Sequence, residues 1–187
     1  MRVVAGTLRG RPIVAPEGSA TRPTTDRVRE ATFNSLDSHG VLDDAVVADL
    51  FAGSGALGIE ALSRGARSCT FVERDRDALR AVRANVDKLG LGDRSVIVAS
   101  DVFAGVATLR EVDLVLADPP YGFDAWDRLL GALEPILARD AMVVLESDRP
   151  IEPRIGWEEI RAKRYSRTWV TFLRRTEEAR TGTFTGA

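Results

Sequence analysis

From residue 46 onward the apolar positions of this chain switch repeatedly between two periods. Short, nearly unbroken apolar runs at 46–51, 68–73, 95–99, 113–117 and 141–147 read as strands buried on both faces. Between them, residues 55–65, 75–89, 102–110 and 125–138 carry apolar side chains at helical spacing. Strands and helices in regular alternation predict an α/β fold, a doubly wound and mostly parallel sheet. Two more apolar stretches, 157–164 and 168–174, lie a short turn apart near Ser166 and predict a closing hairpin. Upstream, residues 2–14 with Gly6 and Gly10 read as a small hairpin, and 15–23 with Pro16, Gly18 and Pro23 as an irregular linker. Thr24 or Thr25 is the expected N-cap of a helix reaching about Leu36, with Val28, Ala31 and Leu36 on its inner face. The expected division is an extension at 1–40, one main domain at 41–175, and a Thr- and Gly-rich tail at 176–187 that is disordered.

Candidate chemistry falls at the carboxyl ends of the expected strands, where open α/β sheets bind ligands. Asp118-Pro119-Pro120-Tyr121 directly follows the apolar run Leu114–Ala117. Each Pro fixes its own φ and lacks an N–H, and Pro120 biases Pro119 toward an extended backbone. The outcome is a stiff row of acceptors beside an aromatic ring. Asp118 and the Pro119 carbonyl can accept the two N–H bonds of an exocyclic amine while Tyr121 stacks on the ring that bears it. Phe123 and Trp126 are candidates for the same pocket, with packing of the 125–138 helix as the alternative for Trp126.

A second motif, Gly53-x-Gly55-x-x-Gly58, opens a helix after the strand Val46–Phe51. Such a turn lets a ligand approach the backbone of Phe51, Ala52, Gly53 and Gly55 closely. By itself this motif serves dinucleotide enzymes equally well. Twenty residues beyond Gly53, Glu73 ends the next strand beside Arg74 and is placed to accept ribose hydroxyls in either class. Asp49, inside the first strand, suits an amino-acid ammonium rather than a pyrophosphate. Asp101 follows the third strand; with the Val102 N–H it can address an adenine ring, and the alternative is an N-cap for the helix at 102–110.

The sequence Asp49-Leu-Phe-Ala-Gly-Ser-Gly55, followed by Asp118-Pro-Pro-Tyr121, resembles the S-adenosylmethionine-dependent methyltransferases that act on exocyclic amino groups. The segment Arg22-Pro-Thr-Thr-Asp-Arg-Val-Arg-Glu-Ala-Thr-Phe-Asn34 is similar to the signature of the bacterial 16S ribosomal RNA guanine-N2 methyltransferases, the RsmD type. This resemblance spans roughly residues 1–175 and implies a Rossmann-like class I methyltransferase fold, with a seven-stranded sheet whose last strand is antiparallel. It implies S-adenosylmethionine as cofactor, and as substrate 16S ribosomal RNA or a small-subunit assembly intermediate. No metal is expected: the chain has one His and one Cys, too few for a ligand set built on them.

Net charge is only −2, which by itself argues against a nucleic-acid partner, but the charges are unevenly distributed. Residues 1–29 hold Arg2, Arg9, Arg11, Arg22, Arg27 and Arg29 against two acids, and 161–175 hold six basic residues and no acid. Local basic patches can follow phosphates on an acidic protein. The six amino-terminal arginines are the RNA-contact candidates, and the second cluster is either a further contact or a solvated face. Cys69 reads as a small buried hydrophobe and His39 as a surface or capping residue at a helix end. The amino terminus is unlike a signal peptide and no apolar stretch reaches transmembrane length, so cytoplasmic residence is expected; a monomer is expected as well. Alternatives remain: adenine-N6 or cytosine-N4 nucleic-acid methylation, protein-glutamine methylation, a nicotinamide-dependent oxidoreductase that leaves Asp118–Tyr121 unexplained, and a noncatalytic RNA-binding module.

Overall fold

A computed structural model describes residues 1–16 and 23–181. Helix α1 (Pro23–Ser38) precedes a run of strands and helices: β1 (Val46–Leu50), α2 (Ala56–Ser63), β2 (Ser68–Glu73), α3 (Arg76–Leu89), β3 (Ser95–Ala99), α4 (Val102–Val106), β4 (Val112–Ala117), α5 (Trp126–Leu133), β5 (Leu137–Ser147), β6 (Trp157–Tyr165), β7 (Thr168–Arg175) and α6 (Glu177–Thr181). All seven strands form one sheet in the order β3-β2-β1-β4-β5-β7-β6. The first five are mutually parallel, and β7 runs antiparallel between β5 and β6. The sheet reverses direction of winding between β1 and β4, and the carboxyl ends beside that switch are where an open α/β sheet binds its ligand.

Alternate side chains along the buried strands feed two cores. Val47, Phe71, Leu114, Leu116, Met142 and Val144 pack on one face, against α1, α2 and α3; Leu50, Val72, Val115, Ala117, Val143 and Leu145 pack on the other, against α4 and α5. Helix α3 is bounded as its sequence indicates: the Asp75 carboxylate accepts from the N–H groups of Asp77 and Ala78, and Gly90 closes it at φ 69°. At Gly58 a Cβ would stand 2.4 Å from Phe71 and 2.5 Å from the Cys69 sulfur, so only glycine lets α2 lie this close to β2. Cys69 is itself buried, and its burial pushes the thiol pKa up, as befits a packing residue.

Several boundaries differ from the expected ones for identifiable reasons. Helix α1 begins at Pro23, before Thr24 and Thr25, because proline is well tolerated in a first helical turn. Helix α5 stops at Leu133 rather than 138: Pro135 lies in a 3₁₀ turn at Glu134–Ile136, and β5 starts at Leu137, four residues early, by pairing with Val112. Helix α4 ends at Val106, four residues short of 110. The expected disordered tail contains the helical turn α6, and residues 182–187 lie outside the described part.

Residues 1–14 form the expected hairpin, with Val3 N–H donating to Arg11 O at 3.0 Å and Gly10 N–H to Val3 O at 2.9 Å. It is not a separate extension. Val3 and Ile13 belong to the same core cluster as Ile59 and Phe71. The fully buried Glu60 of α2 accepts from the backbone N–H groups of Val4 (2.8 Å) and Ala5 (2.9 Å) and from Arg64 Nε (2.9 Å), with Arg29 Nε 3.6 Å away. Asn85 of α3, equally buried, accepts from Val14 N–H and donates to Val14 O and Ser54 O. The hairpin is thus hydrogen-bonded to α2, which the glycine turn opens, and to α3, whose Asn85 also holds Ser54 of that turn.

Candidate active site

The glycine turn has a constrained backbone. Phe51 adopts φ 59°, uncommon for a non-glycine residue, and Gly53 (φ 56°) and Gly55 (φ 79°) complete the left-handed positions. A Cβ at Gly55 would lie 2.7 Å from a Val82 methyl, so both conformation and space require glycine there. The conformation is held by two strand-end acids. Glu73 Oε2 accepts from Gly53 N–H at 2.8 Å, and its Oε1 accepts from Arg74 N–H (2.7 Å) and Asp75 N–H (2.8 Å). Asp49 Oδ2 accepts from Gly58 N–H at 2.8 Å. Asp49 is 1% exposed; burial raises its pKa well above the usual carboxylate range, the Gly58 bond pulls it down, and the Asp118 and Glu73 charges add to the rise.

Two cavities lie along this edge of the sheet. The smaller, about 550 Å³, is lined by Phe51, Glu73, Arg74, Asp101, Val102 and Phe103, among others. Asp101 is the N-cap of α4: its Oδ1 accepts from Phe103 N–H (3.0 Å) and Ala104 N–H (3.2 Å), and the residue remains exposed at the cavity wall. Capping and a ligand contact are therefore compatible. The larger cavity, about 1000 Å³, is walled by Gly53 and Ser54, by Asp118 through Tyr121, by Met1 and Val28 on the amino-terminal side, and by Arg164 through Thr168 at the β6–β7 turn. Asp118, Pro120 and Phe123 line both, so the Asp-Pro-Pro-Tyr segment is the junction between them. Tyr121 is 57% exposed there. Phe123 sits edge-on between Phe51 (5.3 Å) and Trp126 (4.7 Å), and Trp126 is 9% exposed. Trp126 therefore packs under α5 and also touches the cavity.

The expected site residues are only partly gathered. Phe51, Glu73, Arg74, Asp101 and Val102 meet at the smaller cavity; Gly53 and Asp118 to Tyr121 meet at the larger. Asp49 lies behind the glycine turn, in neither lining. Of the arginines, Arg2, Arg9, Arg11 and Arg27 are exposed, although Arg2 also donates to Gly10 O at 2.9 Å and so braces the hairpin. Arg29 must be withdrawn as an RNA contact: it is 3% exposed and bonds to Asp26, the Arg2 carbonyl and the Met1 sulfur. Arg22 lies outside the described residues. Sequence reasoning passed over Glu60 and Asn85, whose signal was a polar residue on an otherwise apolar helix face, and Glu146, which lines the larger cavity beside Asp118.

A family model described as Conserved hypothetical protein 95 matches residues 1–174. The ribosomal RNA small subunit methyltransferase D of Escherichia coli K12 is 37% identical over 150 residues, covering 79% of this chain and 75% of the relative. That of Haemophilus influenzae is 30% identical, covering 87% and 88%. The chain belongs to the RsmD-type ribosomal RNA methyltransferase family. Among solved structures, the YhhF protein of Escherichia coli superposes with a TM-score of 0.83 at 34% identity, covering 94% of this chain and 97% of the other. The structure of SMU.776 complexed with SAH shares the fold at 14% identity and a TM-score of 0.67. RsmD-type membership sets aside the nicotinamide alternative and makes S-adenosylmethionine the methyl donor. The donor set fits it: a carboxylate at the β2 end for ribose hydroxyls, an exposed acid at the β3 end for an adenine amine, and a glycine turn opening on the cavity that holds Asp118. Among the described residues no helix is long and apolar enough to cross a membrane.

Proposed function

We propose that this protein methylates the exocyclic N2 amine of a specific guanine in 16S ribosomal RNA, in the cytoplasm and within a partly assembled small subunit. The observation that carries this reading is the position of Asp118-Pro119-Pro120-Tyr121 at the junction of two cavities, one suited to a cofactor and one large enough for an extruded base. S-adenosylmethionine bound in the smaller cavity supplies an electrophilic methyl group. The chain supplies position. Asp118 and the Pro119 carbonyl accept hydrogen bonds from the two amine N–H groups, which restrains the nitrogen and favours a lone pair less delocalised into the ring; the single proton displaced on methylation leaves to the Asp118 carboxylate or to solvent, and Tyr121 stacks on the base after it leaves its helix. Glu73 and Asp101 serve ribose and adenine, while Asp49, buried behind the glycine turn, braces it through Gly58 N–H and does not itself reach the cofactor.

RNA contacts fall to the exposed Arg9 and Arg11 of the hairpin and to Arg27, with Arg2 contributing from the hairpin base. So small a basic surface supports a substrate already folded by ribosomal proteins, which would supply the remaining recognition. The test is methylation of protein-free 16S RNA and of assembly intermediates, followed by digestion and mass spectrometry of the product nucleoside. N2-methylguanosine at one position, formed faster on the particle, is the expected result. N6-methyladenosine or N4-methylcytidine would overturn the reading.

A further inference from the structure

Five parallel strands each bring an acid to their carboxyl end: Asp49, Glu73, Asp101, Asp118 and Glu146. Four have functions in the site as described; Glu146 has none. Parallel register pairs Ala117 with Leu145, which places Asp118 and Glu146 side by side on adjacent strands. Met142 and Val144 face the α1 side of the sheet and Val143 and Leu145 the opposite side, so Glu146 continues the α1 side. There it is half-buried and lines the larger cavity together with Asp118, Pro119 and Tyr121. Among the described residues, no hydrogen bond or ion pair engages its carboxyl group.

We propose that Glu146, as a neutral carboxylic acid, reads the N1–H and O6 positions of the guanine whose N2 amine is held at Asp118. This rests on the guanine-N2 reading and adds to it the residue that selects the base. A neutral carboxyl group presents one acceptor and one donor side by side, and guanine presents a donor at N1 and an acceptor at O6, next in line after N2. Adjacent strands are about 4.8 Å apart, a spacing that lets two neighbouring acids share one Watson–Crick edge. Adenine has no amine at position 2 and cytosine is too short to reach both groups. The neutral form is favoured because burial, and next the Asp118 charge, raise the Glu146 pKa to about 8; Arg29 opposes this and Asp49 adds to it. Asp148, Arg164 and Arg167 also border the cavity.

The test uses two 16S RNAs, ligated and assembled with small-subunit proteins, that differ only at the target base: guanine, or 2-aminopurine, which keeps the C2 amine but lacks N1–H and O6. Wild type should prefer guanine in kcat/KM by roughly 10- to 100-fold, the scale of leaving buried hydrogen-bonding groups unpaired. Glu146→Ala should lose most of that preference by slowing the guanine reaction. Glu146→Gln, whose amide offers the same acceptor and donor, should keep it and lose the decline in rate above about pH 8. S-adenosylmethionine affinity should be unchanged in both variants, showing an intact cofactor site. If Glu146→Ala keeps the wild-type preference, or Glu146→Gln loses it with cofactor affinity intact, the assignment is overturned while guanine-N2 methylation stands. If wild type methylates neither base at N2, the underlying reading fails, and this assignment with it.

Discussion

Glu73→Ala should weaken S-adenosylmethionine binding by an amount that the hydrogen bonds around Glu73 allow to be worked out. A carboxylate has about four acceptor sites, and three are taken, by Gly53, Arg74 and Asp75 N–H groups. One ribose hydroxyl can therefore dock on Oε2 without displacing anything. A second must displace the Arg74 or Asp75 bond, both exposed and readily replaced by water. The net loss is one to two hydrogen bonds to a charged group, about 1–3 kcal/mol, or roughly 5- to 150-fold in Kd. The Gly53 bond is part-buried, so its loss also loosens the glycine turn and should lower the unfolding temperature of the cofactor-free protein. Calorimetric titration with S-adenosylhomocysteine and thermal unfolding without ligand separate the two effects. A wild-type Kd in a Glu73→Ala protein would show that Glu73 only braces the turn and that the ribose is held elsewhere.

Three further outcomes are expected. Asp118→Ala should bind cofactor normally yet lose most single-turnover activity at saturating RNA, because its bonds to the amine strengthen as the transition state forms; near-normal turnover would remove it from the chemistry. Arg9→Ala with Arg11→Ala should weaken RNA binding and reduce the slope of log affinity against log salt by about 0.7–0.9 for each phosphate no longer neutralised, measured by fluorescence anisotropy; an unchanged slope would shift phosphate binding to the basic β6–β7 hairpin. Glu146 should make stability depend on pH in a defined sense: its acid is retained up to about pH 8 when folded but ionises near 4.5 when unfolded, so the folded state holds the extra proton between those values and stability falls as pH rises through that window. Urea unfolding of Glu146→Gln should show a flatter profile there, and identical profiles would place Glu146 in a more solvated setting than its burial indicates.

How much was legible in the sequence depended on whether the signal was local. The sheet, its strand sequence and the Asp118–Tyr121 motif were legible because apolar runs, glycine turns and prolines fix backbone structure within a few residues. Where Pro135 ends α5, the same local logic was available, but the helical spacing of Leu129, Leu130 and Leu133 outweighed it. Interactions between distant segments left no such trace. The charge pattern marked residues 1–29 as a basic arm but could not distinguish Arg9, exposed on the hairpin, from Arg29, buried against Glu60, since that difference lies in a partner 31 residues away in sequence. Nor could it show that Val4, Ala5 and Val14 donate their backbone hydrogens to Glu60 and Asn85.

Those same long-range bonds change how the arm can be tested and what it does. Removing residues 1–20 would strip Val3 and Ile13 from the core and leave Glu60 with two backbone donors fewer, beside Arg29 and Arg64. Weak RNA binding in such a truncation would then report unfolding as much as a missing grip on phosphates, which is why surface substitutions at Arg9 and Arg11 are the decisive variants. The connection also runs toward the chemistry. Asn85 ties Val14 of the hairpin to Ser54 of the glycine turn through one buried amide, and Met1 and Val28 form a wall of the cavity that holds Asp118. An RNA seated on the hairpin would thus rest on an element that is hydrogen-bonded through Asn85 to the glycine turn and that borders the cavity lined by Asp118.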